Sequence, residues 1–566
     1  MKVPFLFSLR SAVGREVRGM HEAAYVLAGF ALLSQLLALL RDRILAAEFG
    51  AGHTLDLYYA AFRVPDFLFA TVASLLSLYA LLPILSRLEQ ENEGYLIAFL
   101  RDTLAVFFIG MLAVSAVVFF FVPELVRLIA PGIAADPVAG AQLILLVRVL
   151  LLQPILLGAS NTLAALTQLR HRFILYSVSP LLYNLGIIFG VVFLYPRIGI
   201  AGLGWGVVLG AFMHMMLQVP FFFSEKRTAH IPFSVMLKSF WQVLALSIPR
   251  TLALAAGQIS LLALVALASF LSAGSIAVFT FGFNLQAVPL TIIGVSYSVA
   301  AFPTLARLYA AGKREEFSAY IEAALRHIIF WSVPATIFVI VMRAQLVRVI
   351  LGAGAFNWSD TRLVAAALAL FILSLSAQSI SLLIARAYYA AGNTKKPLYY
   401  GVVDVVVSVT SAVGFVALFH SSAFMRDFIE SLLRVSDIPG TTVLMLALGL
   451  SCGSIAECAV SFFFFCKDFG ISRARLFKLI FQTFSAAVIG SGVTYAVLAD
   501  TGAVGTVNTA LGLSLQAALS GAAGLAVTVF VLYLLKNPEL AEAAAAFARY
   551  FKNTPQVAIE PTDVSS

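Results

Sequence analysis

Apolar runs of about twenty residues or more, the length needed to cross a bilayer as a helix, recur along the whole chain. They fall near 22–45, 57–86, 98–122, 141–168, 173–195, 199–223, 239–271, 276–306, 321–342, 362–391, 398–419, 441–466, 476–499 and 508–535. This pattern predicts an all-α polytopic membrane protein with about fourteen transmembrane helices. Several runs are longer than the hydrocarbon core, which implies tilt or extension into water. Basic residues mark alternate connections: Lys2, Arg10, Arg15 and Arg18 at the N-terminus, then Arg170 and Arg172, Lys226 and Arg227, Lys313 and Arg314, Lys395 and Lys396, Lys467 to Lys478, and the tail. The intervening loops "SAGS" (272–275) and "DTGAVGTVN" (500–508) carry no positive charge. The positive-inside rule then puts both termini in the cytoplasm, which requires an even number of helices. Between two late runs, "AFMRDFIESLLRV" reads as a short amphipathic helix on the outer surface.

The pattern also repeats. "ELVRLIAPG" (124–132) returns as "QLVRVILGAG" (345–354), "LLPILSRL" (81–88) as "AFPTLARL" (301–308), and "FGAG" (49–52) as "LSAGS" (271–275), all at an offset near 221. Two pseudo-symmetric six-helix lobes follow, an N-lobe at 22–223 and a C-lobe at 239–467. Around them lie a cytoplasmic segment (1–21), a cytoplasmic linker (224–238), two extra helices (468–535) and a cytoplasmic tail (536–566). Six helices per unit make the repeat parallel, a design transporters use with a site between the halves.

Composition sharpens this picture. The chain is 61% hydrophobic and only 11% charged, against ~25% charged in soluble domains. The net charge of +9 is explained by lipid orientation rather than nucleic acid, because the basic residues alternate with apolar spans. Cys452, Cys458 and Cys466 have no histidine nearby and suit helix packing rather than zinc or disulfides. No phosphate loop, metal-spaced set or hydrophilic catalytic domain is present, so the chain reads as a non-enzyme without a metal site. The first apolar run lacks a small-residue cleavage site and reads as a retained helix.

Against this background the charges between Leu39 and Asp66 stand out: Arg41, Asp42, Arg43, Glu48, Asp56, Arg63 and Asp66. Each ionisable group at mid-bilayer costs ~2.5–3.5 kcal/mol on insertion scales, so these should face water or each other. Asp56, Tyr59, Arg63 and Asp66 share one face of the second helix, where Pro65 is expected to kink it; Ser34, Arg41 and Glu48 share a face of the first. The cluster reads either as a self-neutralising structural network or as the lining of a transport path. Further polar residues lie within spans: Arg148, Asn161, Asn184, His214, Arg250, Gln258, Asn284, Asp404 and Glu457. Arg148 and Arg250 cannot shed their protons. They imply an anionic cargo, phosphate above all, with snorkelling as the other reading of Arg250. Asp404 and Ser408 are an i,i+4 pair that either serves Na+ or H+ coupling or makes an interhelical hydrogen bond. Glu457 is open to the same two readings, and His214 reads as a packing residue.

These residues resemble the MurJ (MviN) lipid II flippases of the MOP exporter superfamily. The resemblance is carried by Arg41–Asp42, "FGAG", Asp56, Ala61–Pro65 and "LLPILSRL", then by "LLLQPILLGASN" (150–161), "RFILYSVSPLLYN" (172–184), "QISLLALVALASFLSAGS" (258–275) and "ARAYYAAGNTKKP" (385–397). It implies alternating access, with lipid II, the undecaprenyl-pyrophosphate-linked peptidoglycan precursor, as cargo. It also implies that the last two helices form a groove for the lipid tail, that membrane lipids and the cell-wall machinery are partners, and that Na+, H+ or the membrane potential drives transport in a bacterial inner membrane. The cavity candidates are Gln35, Arg41, Asp42, Asp56, Arg63, Arg148, Arg250 and Asn284. The family's arginines are replaced at Gln35, Phe69 and Asn284. That leaves open a flippase for another polyprenyl-linked saccharide, a cation-coupled drug exporter of the MATE kind, or a scaffold that has lost transport.

Overall fold

The computed structural model describes residues 20–76, 78–91, 93–224, 232–471, 473–504 and 510–551, and every regular element among them is helical. We label the main segments α1 (Met20–Phe49), α2 (a broken run over 53–91), α3 (Glu93–Ile129), α4 (Pro137–Leu169), α5 (Phe173–Ile198), α6 (Ile200–Phe223) and α7 (Phe233–Ala268). The second half follows as α8 (Ser275–Ala310), α9 (Arg314–Leu351), α10 (Trp358–Ile372 with Leu375–Ala390), α11 (Lys395–Ser421), α12 (Val443–Phe469), α13 (Arg473–Val504) and α14 (Ala510–Leu534).

By length and composition, ten of the described helices can cross a membrane, or eleven if the two parts of α10, bent by 45°, count as one span. The sequence suggested about fourteen. The difference lies in α1, α2 and α7. Parts of α1 and α7 fall outside the residues whose side chains are described, and α2 is not one helix. It runs as His53–Ala61, Arg63–Thr71, a 3-10 turn at Ala73–Leu76, and Leu78–Glu91. The first break precedes Pro65, which has no N–H for the carbonyl of Ala61. A hydropathy average passes over such breaks because each fragment is apolar. Two further irregular stretches are π turns, Gly190–Leu194 in α5 and Thr291–Val295 in α8.

The repeated sequence has a repeated backbone. At the end of α4, the N–H groups of Arg170, His171 and Arg172 bond the carbonyls of Leu166, Gln168 and Thr167. At the end of α10, Ala391, Gly392 and Asn393 bond Ala387, Tyr389 and Tyr388 in the same order, 221 residues later. The middle residue is left-handed in both turns, φ 54° at His171 and 74° at Gly392. Within the bundle, α5 and α6 cross through glycines. A Cβ on Gly186 would lie 2.3 Å from the backbone of Gly210, so only glycine permits this approach. The expected amphipathic helix is Ala423–Leu433, with Phe424, Phe428 and Leu432 exposed along one stripe.

Candidate functional site

Three polar constellations lie within the apolar bundle. The first begins on α1, where Arg41 uses both ends of its fork. Its Nε and Nη2 donate to Asp42 Oδ1 at 3.0 and 2.8 Å, and its Nη1 donates to Asn184 Oδ1 on α5 at 3.0 Å. Asn284 on α8 completes the chain by donating to Asp42 Oδ2 at 3.1 Å. One ion pair on α1 thus joins a helix of the first repeat to a helix of the second. Asp42 is buried, while the Arg41 side chain keeps 20% of its exposure.

Next along, Arg63 and Asp66 lie within Coulombic range of each other on the middle fragment of α2, and Gln153 of α4 lies close to Asp66. Here Tyr59 Oη, Arg63 Nε and Gln153 Oε1 are buried without a hydrogen-bond partner. Leaving such a group unsatisfied costs about 1–3 kcal/mol. Arg148 is held differently, its guanidinium 4.6 Å from the ring centre of Phe119 in a cation–π contact. Gln35 is half-buried on α1, and Phe69 packs beside an apolar cluster on α2. Arg250 belongs to α7, but its side chain lies outside the described residues.

The second constellation is where Asp56 goes. The shared face with Tyr59 and Arg63 suggested a cavity residue, but Asp56 instead reaches the start of α8. Its carboxylate accepts the N–H of Gly274 at 2.5 Å and of Ala277 at 2.8 Å. A carboxylate at a helix N-terminus satisfies orphan donors and the helix dipole together. The seam continues around this end of the bundle. Ala355 N–H donates to Ala47 O at 2.7 Å, Arg43 donates to the last carbonyls of α9, and Gly132 N–H donates to Ser269 Oγ. Backbones meet directly here. A Cβ on Gly274 would sit 2.0 Å from Ala51 O, and one on Gly132 1.9 Å from Ser269 O. Glu48 is exposed.

The third constellation is a pocket of about 400 Å³ lined by Gln258, Gln378, Ser381, Asp404, Ser454 and Glu457. Asp404 Oδ1 accepts the hydroxyls of Ser454 at 3.2 Å and Ser408 at 3.4 Å. Carboxylate, hydroxyl and amide oxygens suit a hard cation or a proton. Among the described residues, no group of three or more His, Cys, Asp or Glu side chains could hold a metal ion. His214 sits apart from all three sites, with Nδ1 2.7 Å from Ser160 Oγ.

Sequence reasoning found Arg41, Asp42 and Asn284 but not their junction. It also missed Gln153 as a neighbour of Asp66; neutral polar residues on separate helices give no spacing signal.

The family model described as "Lipid II flippase MurJ" matches residues 45–510. The lipid II flippase MurJ of Burkholderia cenocepacia is 24% identical over 406 residues, covering 70% of this chain and 78% of its own. A probable lipid II flippase MurJ of Thermotoga maritima is 24% identical over 452 residues, covering 73% and 88%. Among solved structures, a lipid II flippase MurJ in an inward closed conformation superposes with a TM-score of 0.69 at 20% identity, over 90% of this chain and 99% of that one. An inward-facing MATE multidrug transporter of the MOP superfamily gives 0.63 at 15% identity, over 83% and 98%. Both structures share this fold. With a family match across most of its length, the chain belongs to the MurJ family of lipid II flippases.

Proposed function

We propose that this protein carries lipid II from the inner to the outer leaflet of the bacterial cytoplasmic membrane by alternating access. The observation that carries the reading is the Asn184–Arg41–Asp42–Asn284 chain, a charged junction between the repeats inside an apolar bundle. In this scheme residues 22–223 and 239–467 rock against each other, with both termini in the cytoplasm. The seam around Asp56 is then the outer gate, closed in this conformation. The diphosphate and sugars cross beside Arg41 and Arg63, since polar groups are costly to place in hydrocarbon. The polyprenyl tail stays in lipid along a groove at 468–535. Outward passage of an anion gains ~2.3 kcal/mol per charge per 100 mV of inside-negative potential.

Complementation tests the reading. Expressed in a strain depleted of its own lipid II flippase, this chain restores growth and externally exposed lipid II; failure of both, with protein present in the membrane, contradicts it. A flippase for another polyprenyl-linked saccharide is the second reading. It is favoured by Gln35, Phe69 and Asn284 standing where the resemblance leads one to expect arginines.

The Asp404–Glu457 pocket is our candidate for cation coupling, with Ser408 and Ser454 as further oxygen donors. Asp404→Asn is expected to abolish any acceleration of transport by a Na+ or H+ gradient in reconstituted vesicles while the potential-driven part persists. An unchanged gradient response rules the pocket out.

A further inference from the structure

The motif "ARAYYAAGNTKKP" plays no part in the transport path above. Four of its residues, Tyr388, Ala391, Asn393 and Lys396, line a separate cavity of about 500 Å³ with Tyr309, Arg314 and Asp468. It lies where the ends of α8, α10 and α12 meet the starts of α9 and α11.

Its walls are rich in uncommitted donors. The guanidinium carbon of Arg314 lies over the Tyr309 ring, 3.4 Å from its centre. Stacking uses the face of the group and leaves the N–H groups on its edge, in the planar fork that matches phosphate. Among the described contacts no carboxylate takes them, and the neighbouring Glu316 is bound by Lys313 at 2.9 Å. Lys396 is paired with Asp468, whose carboxylate also accepts the Tyr388 hydroxyl at 2.6 Å. With two donors on it, Asp468 is well neutralised, while a lysine ammonium has three N–H groups and can still donate. Asn393 commits its oxygen to the N–H groups of Lys395 and Lys396, so its amide NH2 is left to donate. Two forked or rotatable cations and an amide, all donors, fit a small anion with several oxygens.

We propose that this cavity binds a phosphate ester, either the headgroup of an anionic phospholipid or a soluble phosphate monoester. In the topology proposed above it opens on the cytoplasmic face, where basic pockets between helices take lipid phosphates. The site is distinct from the Arg41 junction. Binding is measured on purified protein without transport, so a wrong cargo assignment leaves the test intact.

The test compares phosphatidylglycerol, glycerol 3-phosphate and diacylglycerol as ligands of the purified full chain, by native mass spectrometry and thermal shift. Arg314→Gln is the main variant, because Arg314 is exposed and exposed substitutions usually change stability little; Lys396→Gln is the second. Phosphatidylglycerol binding above the diacylglycerol control, weakened at least fivefold in Arg314→Gln, supports a lipid site. Glycerol 3-phosphate binding with the same loss supports a soluble ligand. If neither phosphate ligand exceeds the control, or if both variants bind like the wild type, the proposal is overturned.

Discussion

Arg41→Ala is expected to abolish rescue of a flippase-depleted strain and to cut external lipid II at least about tenfold. The guanidinium makes two bonds to Asp42 and one to Asn184. Its removal leaves a buried carboxylate uncompensated, which costs about 3–5 kcal/mol, and each ~1.4 kcal/mol added to a rate-limiting barrier slows it tenfold. Loss of rescue alone would not separate a cargo contact from a structural pair. The double variant Arg41→Ala/Asp42→Asn does separate them, because it also removes the stranded charge. Recovered thermal stability without recovered transport marks Arg41 as a cargo residue. Recovery of both marks the pair as scaffolding. Arg41→Lys keeps the charge but cannot hold Asp42 and Asn184 at once in the same planar geometry, so partial rescue is expected.

Asp56→Asn is expected to open the seam where Asp56 holds α8. The substitution keeps one acceptor but turns an NH2 group toward one of the two backbone donors, Gly274 or Ala277. Losing a charge-assisted hydrogen bond costs about 1.5–3 kcal/mol, enough to shift a two-state equilibrium roughly tenfold to a hundredfold. Gly274→Ala should act the same way by another route. Its Cβ would lie 2.0 Å from Ala51 O, at a φ of 90° that side chains rarely adopt. In both variants, a cysteine introduced at Ala47 should react faster with an impermeant maleimide added outside. Labelling as slow as in the parent would mean the seam is not the outer gate. A variant lacking Cys452, Cys458 and Cys466 provides the background.

The seam also shows where reading the sequence ended. "FGAG" and its echo "LSAGS" were visible as a repeat, and the structure puts glycine there because two backbones touch. That Asp56 would cap the second copy was not visible. Helical spacing assigns a residue to a face but does not name a partner 218 residues away. Asp404 and Ser408 were legible as neighbours one turn apart, whereas Ser454, from α12, was not. The single run drawn at 57–86 is broken in the structure, because apolarity reports burial in lipid and not whether the backbone is continuous. Arg148 looked like a bare cation; its Phe119 partner sits on another helix, where sequence spacing has no reach.

Alternating access through this seam is tested most directly by locking it. Ala355 N–H donates to Ala47 O at 2.7 Å, so cysteines placed at these two positions should cross-link on oxidation. Lipid II translocation by the double-cysteine protein, with its native cysteines removed, should stop when oxidised and resume after reduction. Undiminished translocation by the fully cross-linked protein would contradict the account.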